Sequence, residues 1–288
     1  MSRRLIVLIP AAEGRERFGS EANKISRPLL GKTLLVRAIE IARGVSPNRI
    51  IVVGGGSPGV AGASAREAGA EFIALAAPRK GVSGVAAVRA ALSGEKAGDL
   101  LILPADRPLL RPETLRELLT YHRRRRADLT LMSAAVSDPR GCARIRRGPD
   151  GSIRVIADAE AGPSDLTIPE VDASVYAARI VDILSVPASP RYRRAAGHLD
   201  VAAAFVPVFQ AGGRVEAFMT PAPADIFRVG ACADLARAGA LLRDRINAAL
   251  MESGVNLADP ATAWIDEQSR IAPDVDIAPF VVIEGATT

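Results

Sequence analysis

Leu5-Ile-Val-Leu-Ile-Pro-Ala-Ala-Glu-Gly-Arg-Glu-Arg-Phe-Gly-Ser-Glu-Ala-Asn-Lys24 is the stretch on which the fold turns. Leu5 to Ile9 is an unbroken apolar run, the pattern of a parallel strand buried on both faces. Ala11, Ala12 and Gly14 make a small-residue turn directly after it, and Arg17 and Lys24 sit just beyond. A strand that ends in such a loop lets backbone N–H groups approach a polyphosphate, and the two cations neutralise it.

The pattern continues outward from this strand. Residues 33–43 carry Leu34, Leu35, Ala38, Ile39 and Ala42 at helical spacing. Residues 49–53 read as a second strand closed by Gly54, Gly55 and Gly56, 61–70 as a small-residue helix, and 72–76 as a third strand. Residues 83–92 read as a helix and 100–103 as a fourth strand, and Pro112 opens a helix that runs to about Arg124. Strands alternating with helices predict a doubly wound, Rossmann-like α/β core with a parallel sheet. Ligands bind such sheets beyond the carboxyl ends of the strands, where loops 10–24, 77–84 and 104–111 lie. Residues 128–220 are less regular, with strand patterns at 129–136, 143–147, 152–157, 175–178 and 215–219 and some helix near 199–211. They read as an inserted antiparallel part covering the substrate side. Residues 232–251 form a helix with Leu235, Leu242, Ile246, Ala249 and Leu250 on one face.

The tail repeats. Ile265, Ile271, Ile277 and Ile283 are six apart, with Ser269, Val275, Val281 and Thr287 four further on. This is the hexapeptide pattern of a left-handed parallel β-helix, three hexads to a turn. Four hexads make little more than one coil, and one coil needs neighbours to bury its faces. The expectation is either a longer β-helix beyond this stretch or a coil packed on a partner.

The 288 residues, 49% of them apolar, suffice for a large core. No apolar run is long enough to span a membrane, and the run after Met1-Ser-Arg-Arg4 is too short for a signal peptide. Cys142 and Cys232 offer neither a disulfide framework nor metal-ligand spacing, so a reducing, cytoplasmic location is expected. The net charge of +5 comes from 33 Arg and 4 Lys. Arg123–Arg126 reads as a solvated helix end, where cations suit the dipole. With only 4% aromatics, base stacking has little to stand on, and no nucleic-acid partner is expected. His122 and His198 read as surface residues.

A second constellation is Leu101-Ile-Leu-Pro-Ala-Asp106-Arg-Pro-Leu-Leu110. An apolar strand delivers one carboxylate to its carboxyl end, facing the first loop. That is a natural Mg²⁺ ligand, because Mg²⁺ is held by one or two carboxylates plus substrate phosphates. At Lys80-Gly-Val-Ser-Gly84 the glycines allow a base or ribose to approach the backbone, although Ser83 equally suits a helix N-cap.

Together these residues resemble the sugar-1-phosphate nucleotidylyltransferases. Over nearly the whole chain they are similar to the bifunctional N-acetylglucosamine-1-phosphate uridyltransferase/glucosamine-1-phosphate acetyltransferase family. The family's strand and Leu-Ala-Ala-Gly-x-Gly-Thr-Arg-Met loop correspond to Ile-Pro-Ala-Ala-Glu-Gly-Arg-Glu-Arg17-Phe. Its Pro-Lys and Gly-Lys correspond to Asn23-Lys24 and Gly31-Lys32, and its Gly-Asp-x-Pro to Ala105-Asp106-Arg107-Pro108. Its Asp-Pro-x-Gly-Tyr-Gly-Arg-Ile corresponds to Asp138-Pro-Arg-Gly141-Cys-Ala-Arg144-Ile. The resemblance implies a nucleotidyltransferase domain at 1–228, a linker helix arm at 229–260 and the start of a left-handed β-helix at 261–288, through which extended relatives trimerise. It implies transfer from UTP to a sugar 1-phosphate, giving UDP-N-acetylglucosamine and pyrophosphate. Arg17 and Lys24 would be catalytic. Ala11, Ala12, Gly14, Lys80, Ser83 and Gly84 would bind the nucleotide, Gly141, Asp158 and Asp172 the sugar phosphate, and Asp106 Mg²⁺. Departures are specific. Glu13 and Arg15 replace loop glycines, and Ala143 replaces a sugar-loop glycine. Asp158 replaces a glutamate, Asp172 an asparagine, and Cys232 the asparagine expected to complete the Mg²⁺ shell. The same segments also resemble molybdenum-cofactor nucleotidyltransferases and the cytidylyltransferase of the isoprenoid pathway. A non-catalytic homologue or assembly subunit is the reading from another class.

Overall fold

Leu5 to Ile9 of the first strand are closed to water on both faces. Leu5, Val7 and Ile9 enter one core and Ile6 and Leu8 the other, as the period of two demands. The computed structural model describes residues 3–11, 24–55, 59–75, 88–89, 91–185, 208 and 212–288. The strands are β1 (Leu5–Ala11), β2 (Pro28–Leu29), β3 (Lys32–Thr33), β4 (Arg49–Gly55), β5 (Glu71–Leu75), β6 (Asp99–Ile102), β7 (Leu129–Ala135), β8 (Arg144–Arg147), β9 (Ile153–Ile156), β10 (Glu170–Arg179), β11 (Val215–Met219), β12 (Asn256–Leu257), β13 (Trp264–Ile265), β14 (Asp276–Ile277) and β15 (Val282–Ile283). The helices are α1 (Leu34–Arg43), α2 (Gly59–Glu67), α3 (Pro112–Arg125), α4 (Pro163–Leu166), α5 (Ile180–Ser185) and α6 (Cys232–Glu252).

Local chemistry sets several ends. The Thr33 side chain accepts from the Val36 amide at 3.2 Å and starts α1. Pro112 occupies the first turn of α3, where its missing N–H costs nothing, and Arg126 closes α3 in the left-handed region.

The main sheet has the order β11-β7-β10-β6-β1-β4-β5, with β8 on β10 and β9 on β8. β6, β1, β4 and β5 run parallel, as the alternating pattern predicts. In the second half, β8, β9 and β10 pair antiparallel as expected, but the strands join the first sheet rather than forming a cover. β7 and β11 pair in parallel, β10 inserts antiparallel between β7 and β6, and all three extend the first sheet. β10 is also longer than the 175–178 pattern. Its first half carries Glu170, Asp172 and Ser174, polar residues that hide the strand. A register shift falls between Asp172 and Tyr176, with Ser174 at φ 58°. The helix expected near 199–211 and most of that at 83–92 lie outside the described residues. No helix among the described residues is long and apolar enough to cross a membrane.

In the tail, Trp264 pairs with Val282 and Ile265 with Ile283 in parallel, a separation of three hexads. Ile265 and Ile277 are buried with Val255, Leu257 and Ala263. α6 holds this coil: the Asn247 side-chain amide donates to the carbonyls of Pro260 (2.8 Å) and Ala263 (2.9 Å). The Arg243 guanidinium lies 4.9 Å from the Trp264 ring centre.

Two buried polar groups were not foreseen. His122, expected at the surface, is wholly buried on α3, its Nδ1 2.8 Å from Thr130 Oγ1. The basic run around it had suggested exposure, but helical period turns residue 122 toward β7. Asp225 is also closed to water. It accepts from Arg111 Nε at 3.0 Å, from Arg245 at 3.0 Å and from the Thr114 hydroxyl, tying α3 to α6.

Asp225→Ala leaves two arginines without their anion. Because both can partly reach water, the expected loss is about 2–3 kcal/mol, below the fully buried case, read by denaturant unfolding. Burial holds the His122 pKa down to about 4, against the pull of Asp99 and with Arg3, Arg123 and Arg179 adding to the shift. The neutral ring is therefore favoured by folding. Its contribution is intact above pH 6.5 and is lost as pH falls toward 4, by about 3 kcal/mol. A His122→Gln variant should show a flatter stability profile across that interval.

Candidate functional site

Parallel pairing brings the loops after β1 and β6 to one edge. Leu8 pairs with Ile102, and Ala11 pairs with Gly54 of β4. The chain leaves β6 through Leu103, Pro104 and Ala105 and presents Asp106, which keeps only 8% exposure. Lys24 opens a one-turn 3-10 helix (Lys24–Ser26) pinned by the buried Ile25. Its Nζ donates to Asp106 Oδ2 at 2.6 Å. The two residues that the sequence placed on opposite loops therefore meet.

A third partner was not foreseen. Arg228 Nε donates to the same Asp106 oxygen at 3.1 Å. The Val229 amide donates to the Asp106 carbonyl at 2.9 Å, so the segment before α6 is tied to the end of the β6 strand. Arg107 is buried beside it and donates to the Ile226 carbonyl. Arg107 is drawn electrostatically by both Asp106 and Asp172. Nothing local marks Arg228 in the sequence, because its neighbour lies 122 residues away.

The expected sugar-phosphate residues gather around β8 and β10. The Asp172 amide donates to the Ala143 carbonyl at 2.9 Å, which sets the Gly141–Ala143 turn against β10. Gly141 has φ +75° with open space where a Cβ would stand. Both carboxylates already have partners. Asp172 accepts from the Ser174 amide (2.9 Å) and the Tyr176 hydroxyl (2.5 Å). Asp158 pairs with the deeply buried Arg144 at 2.5 Å. Cys232 is exposed at the first residue of α6 and also has a partner of its own. The amides of Gly230 and Ala231 before it are capped by Asp234 at 2.9 and 2.8 Å. The side chain that reaches Asp106 from this segment is Arg228. Ala12, Gly14, Arg17, Lys80, Ser83, Gly84, Glu13, Arg15 and His198 lie outside the described residues.

A Mg²⁺ held at Asp106 would have to displace the two cations that its carboxylate already meets. Mg²⁺ demands oxygen ligands in near-octahedral order. Asp106 offers one carboxylate, whose Oδ2 already accepts from two cations. Among the described residues no three His, Cys, Asp or Glu side chains come together as a metal site, and a thiol suits a hard cation poorly.

Burial would raise the Asp106 pKa, but Lys24, Arg107 and Arg228 together outweigh it and hold it at about 2. Stability from this carboxylate is present above pH 3.8 and is lost as pH falls through about 2. An Asp106→Ala variant should be less stable than the parent at pH 7, with the gap closing in that acid range in urea titrations.

A protein of Mycolicibacterium gilvum named bifunctional protein GlmU is 32% identical over 294 residues, covering 100% of this chain and 59% of its own length. Its namesake from Geobacter metallireducens is 32% identical over 289 residues, covering 98% of this chain and 60% of its own length. The chain thus spans about three-fifths of these relatives. A solved structure of CMP:2-keto-3-deoxy-manno-octonic acid synthetase complexed with CTP shares the fold with a TM-score of 0.60, at 16% identity, over 84% of this chain and 99% of that one. The family model for the MobA-like NTP transferase domain matches residues 7–253, and the chain belongs to that family.

Proposed function

We propose that this chain transfers a nucleotidyl group from a nucleoside triphosphate to a sugar 1-phosphate, with UTP and N-acetylglucosamine 1-phosphate as the pair, giving UDP-N-acetylglucosamine and pyrophosphate. The observation that carries the reading is the Lys24–Asp106 pair at 2.6 Å, set just beyond the carboxyl end of β6, which pairs in parallel with β1. Similarity to proteins named bifunctional protein GlmU over essentially the whole chain supports the choice of substrates.

In this reading a phosphate oxygen of the acceptor attacks the α-phosphorus. The new P–O bond forms as the bond to the β-phosphate bridging oxygen breaks, and its electron pair leaves with pyrophosphate. The attacking oxygen is already anionic, so no general base is needed. The protein supplies position and positive charge. Lys24 meets the phosphates, joined by Arg17 from the β1 loop. Gly141, Asp158 and Asp172 face the acceptor. A Mg²⁺ carried by the nucleotide would add positive charge on its phosphates beside that of Lys24 and Arg17. The tail is proposed as the first coil of a left-handed β-helix, with 229–260 as the arm that carries it, and an extended chain would trimerise through it.

A second reading keeps the transfer and changes the acceptor. Asp158 is engaged by Arg144, and Asp172 by Tyr176 and Ser174, which leaves these carboxylates less available to sugar hydroxyls.

Pyrophosphate release with Mg²⁺ across UTP, CTP, GTP, ATP and dTTP, each with and without N-acetylglucosamine 1-phosphate, separates the readings. Release with UTP only when that acceptor is present is the expected result. Release with another pair would favour the changed acceptor, and no release from folded protein would sink catalysis altogether. Lys24→Ala should reduce turnover about a hundredfold or more, by loss of a charge aimed at the transition state; near-parental turnover would remove Lys24 from the site.

A further inference from the structure

We infer that the Arg228 guanidinium takes, at Asp106, the place a divalent cation would fill, so that the chain binds its polyphosphate ligand without a protein-held metal. The inference rests on the nucleotide-binding reading and adds to it a residue that the sequence motifs do not point to.

Three observations carry it. First, Arg228 is placed by the fold. Ile226 and Val229 on either side of it are buried. The Val229 amide is bonded to the Asp106 carbonyl, and the Arg107 guanidinium holds the Ile226 carbonyl. The segment cannot slide without breaking both links. Second, the charge count already favours an anion. Lys24, Arg107 and Arg228 act on the Asp106 carboxylate, and Arg107 is shared with Asp172, so three positive groups face two negative ones. A divalent ion added there would meet like charge on three sides, whereas a triphosphate would be met by opposite charge. Third, Arg228 is half-exposed and uses only Nε on Asp106, with no other bond among the described residues. Its two terminal nitrogens are left to contact phosphate oxygens in the planar fork that suits them. Asp106 then acts as the anchor that orients Lys24 and Arg228, rather than as a metal ligand.

Binding, not turnover, is the test. Isothermal titration of the full chain with UTP, CTP, GTP, ATP and inorganic pyrophosphate is run in EDTA and again in Mg²⁺. The parent, Arg228→Ala and Arg228→Lys are compared, with thermal unfolding as the check on folding. The expected result is a parent affinity that differs less than about threefold between EDTA and Mg²⁺. Arg228→Ala should weaken binding in EDTA by about tenfold or more, the worth of one charge-assisted bond. Mg²⁺ should recover part of that loss, and Arg228→Lys should keep most of the affinity. Mn²⁺ titration followed by electron paramagnetic resonance, without nucleotide, should show no tight site in the parent. Parent binding that vanishes in EDTA, or Arg228→Ala binding that is unchanged in EDTA, would overturn the inference while leaving the nucleotide reading standing. Absence of binding for every probe under both conditions would overturn the nucleotide reading, and this inference with it.

Discussion

A carboxylate nearly closed to water at the end of β6 must be compensated, and most of the site follows from how Asp106 meets that demand. Desolvation alone would drive the group toward its neutral form. Lys24 at 2.6 Å and Arg228 at 3.1 Å keep it ionised, with Arg107 alongside. Each cation arrives from a different part of the chain. The charge balance at one atom therefore joins the turn after the first loop, the end of β6 and the segment that leads into α6. Substitution at any of the three disturbs the other two, because the partners share one oxygen.

The sheet makes this convergence possible. β1 and β6 are adjacent and parallel, so their carboxyl ends lie at one edge. β10 then inserts antiparallel next to β6 and carries Asp172 to the neighbouring edge, where Arg107 feels both carboxylates. The shift in β10 register breaks the strand where Asp172 turns its side chain to Tyr176 and the Ser174 amide. The second half of the chain thus extends the same sheet.

The tail is bound to the core by charge as well as by packing. Arg37 is buried, and it pairs with Glu267 at 2.7 Å while Lys32 bridges Glu40 and Glu267. The opposing cations hold the Glu267 carboxyl below its ordinary value despite burial. Asp225 performs the same office between α3 and α6. The tail gains its support from α6 and from these links to α1.

Most of the fold's elements were legible in the sequence, because apolar period alone marks them. β1, β4, β5, β6, α1, α3 and α6 fall within a residue or two of their patterns and α2 within three, since each buries a face or a stripe whose spacing is fixed by backbone geometry. Lys24 and Asp106 were legible for a similar reason: a strand followed by a small-residue loop, and a strand delivering an acid, are local signals. The sequence alone did not place Arg228 on Asp106, Arg144 on Asp158, His122 in the core or Asp225 between two helices. Those pairings join residues up to 122 apart, and at His122 the basic run masked the helical period that turns it inward. Tertiary structure also decided that β7, β10 and β11 join the first sheet. Hydrogen-bond partners between strands are chosen by the whole packing, whereas the alternation along one strand reports only which side chains are buried.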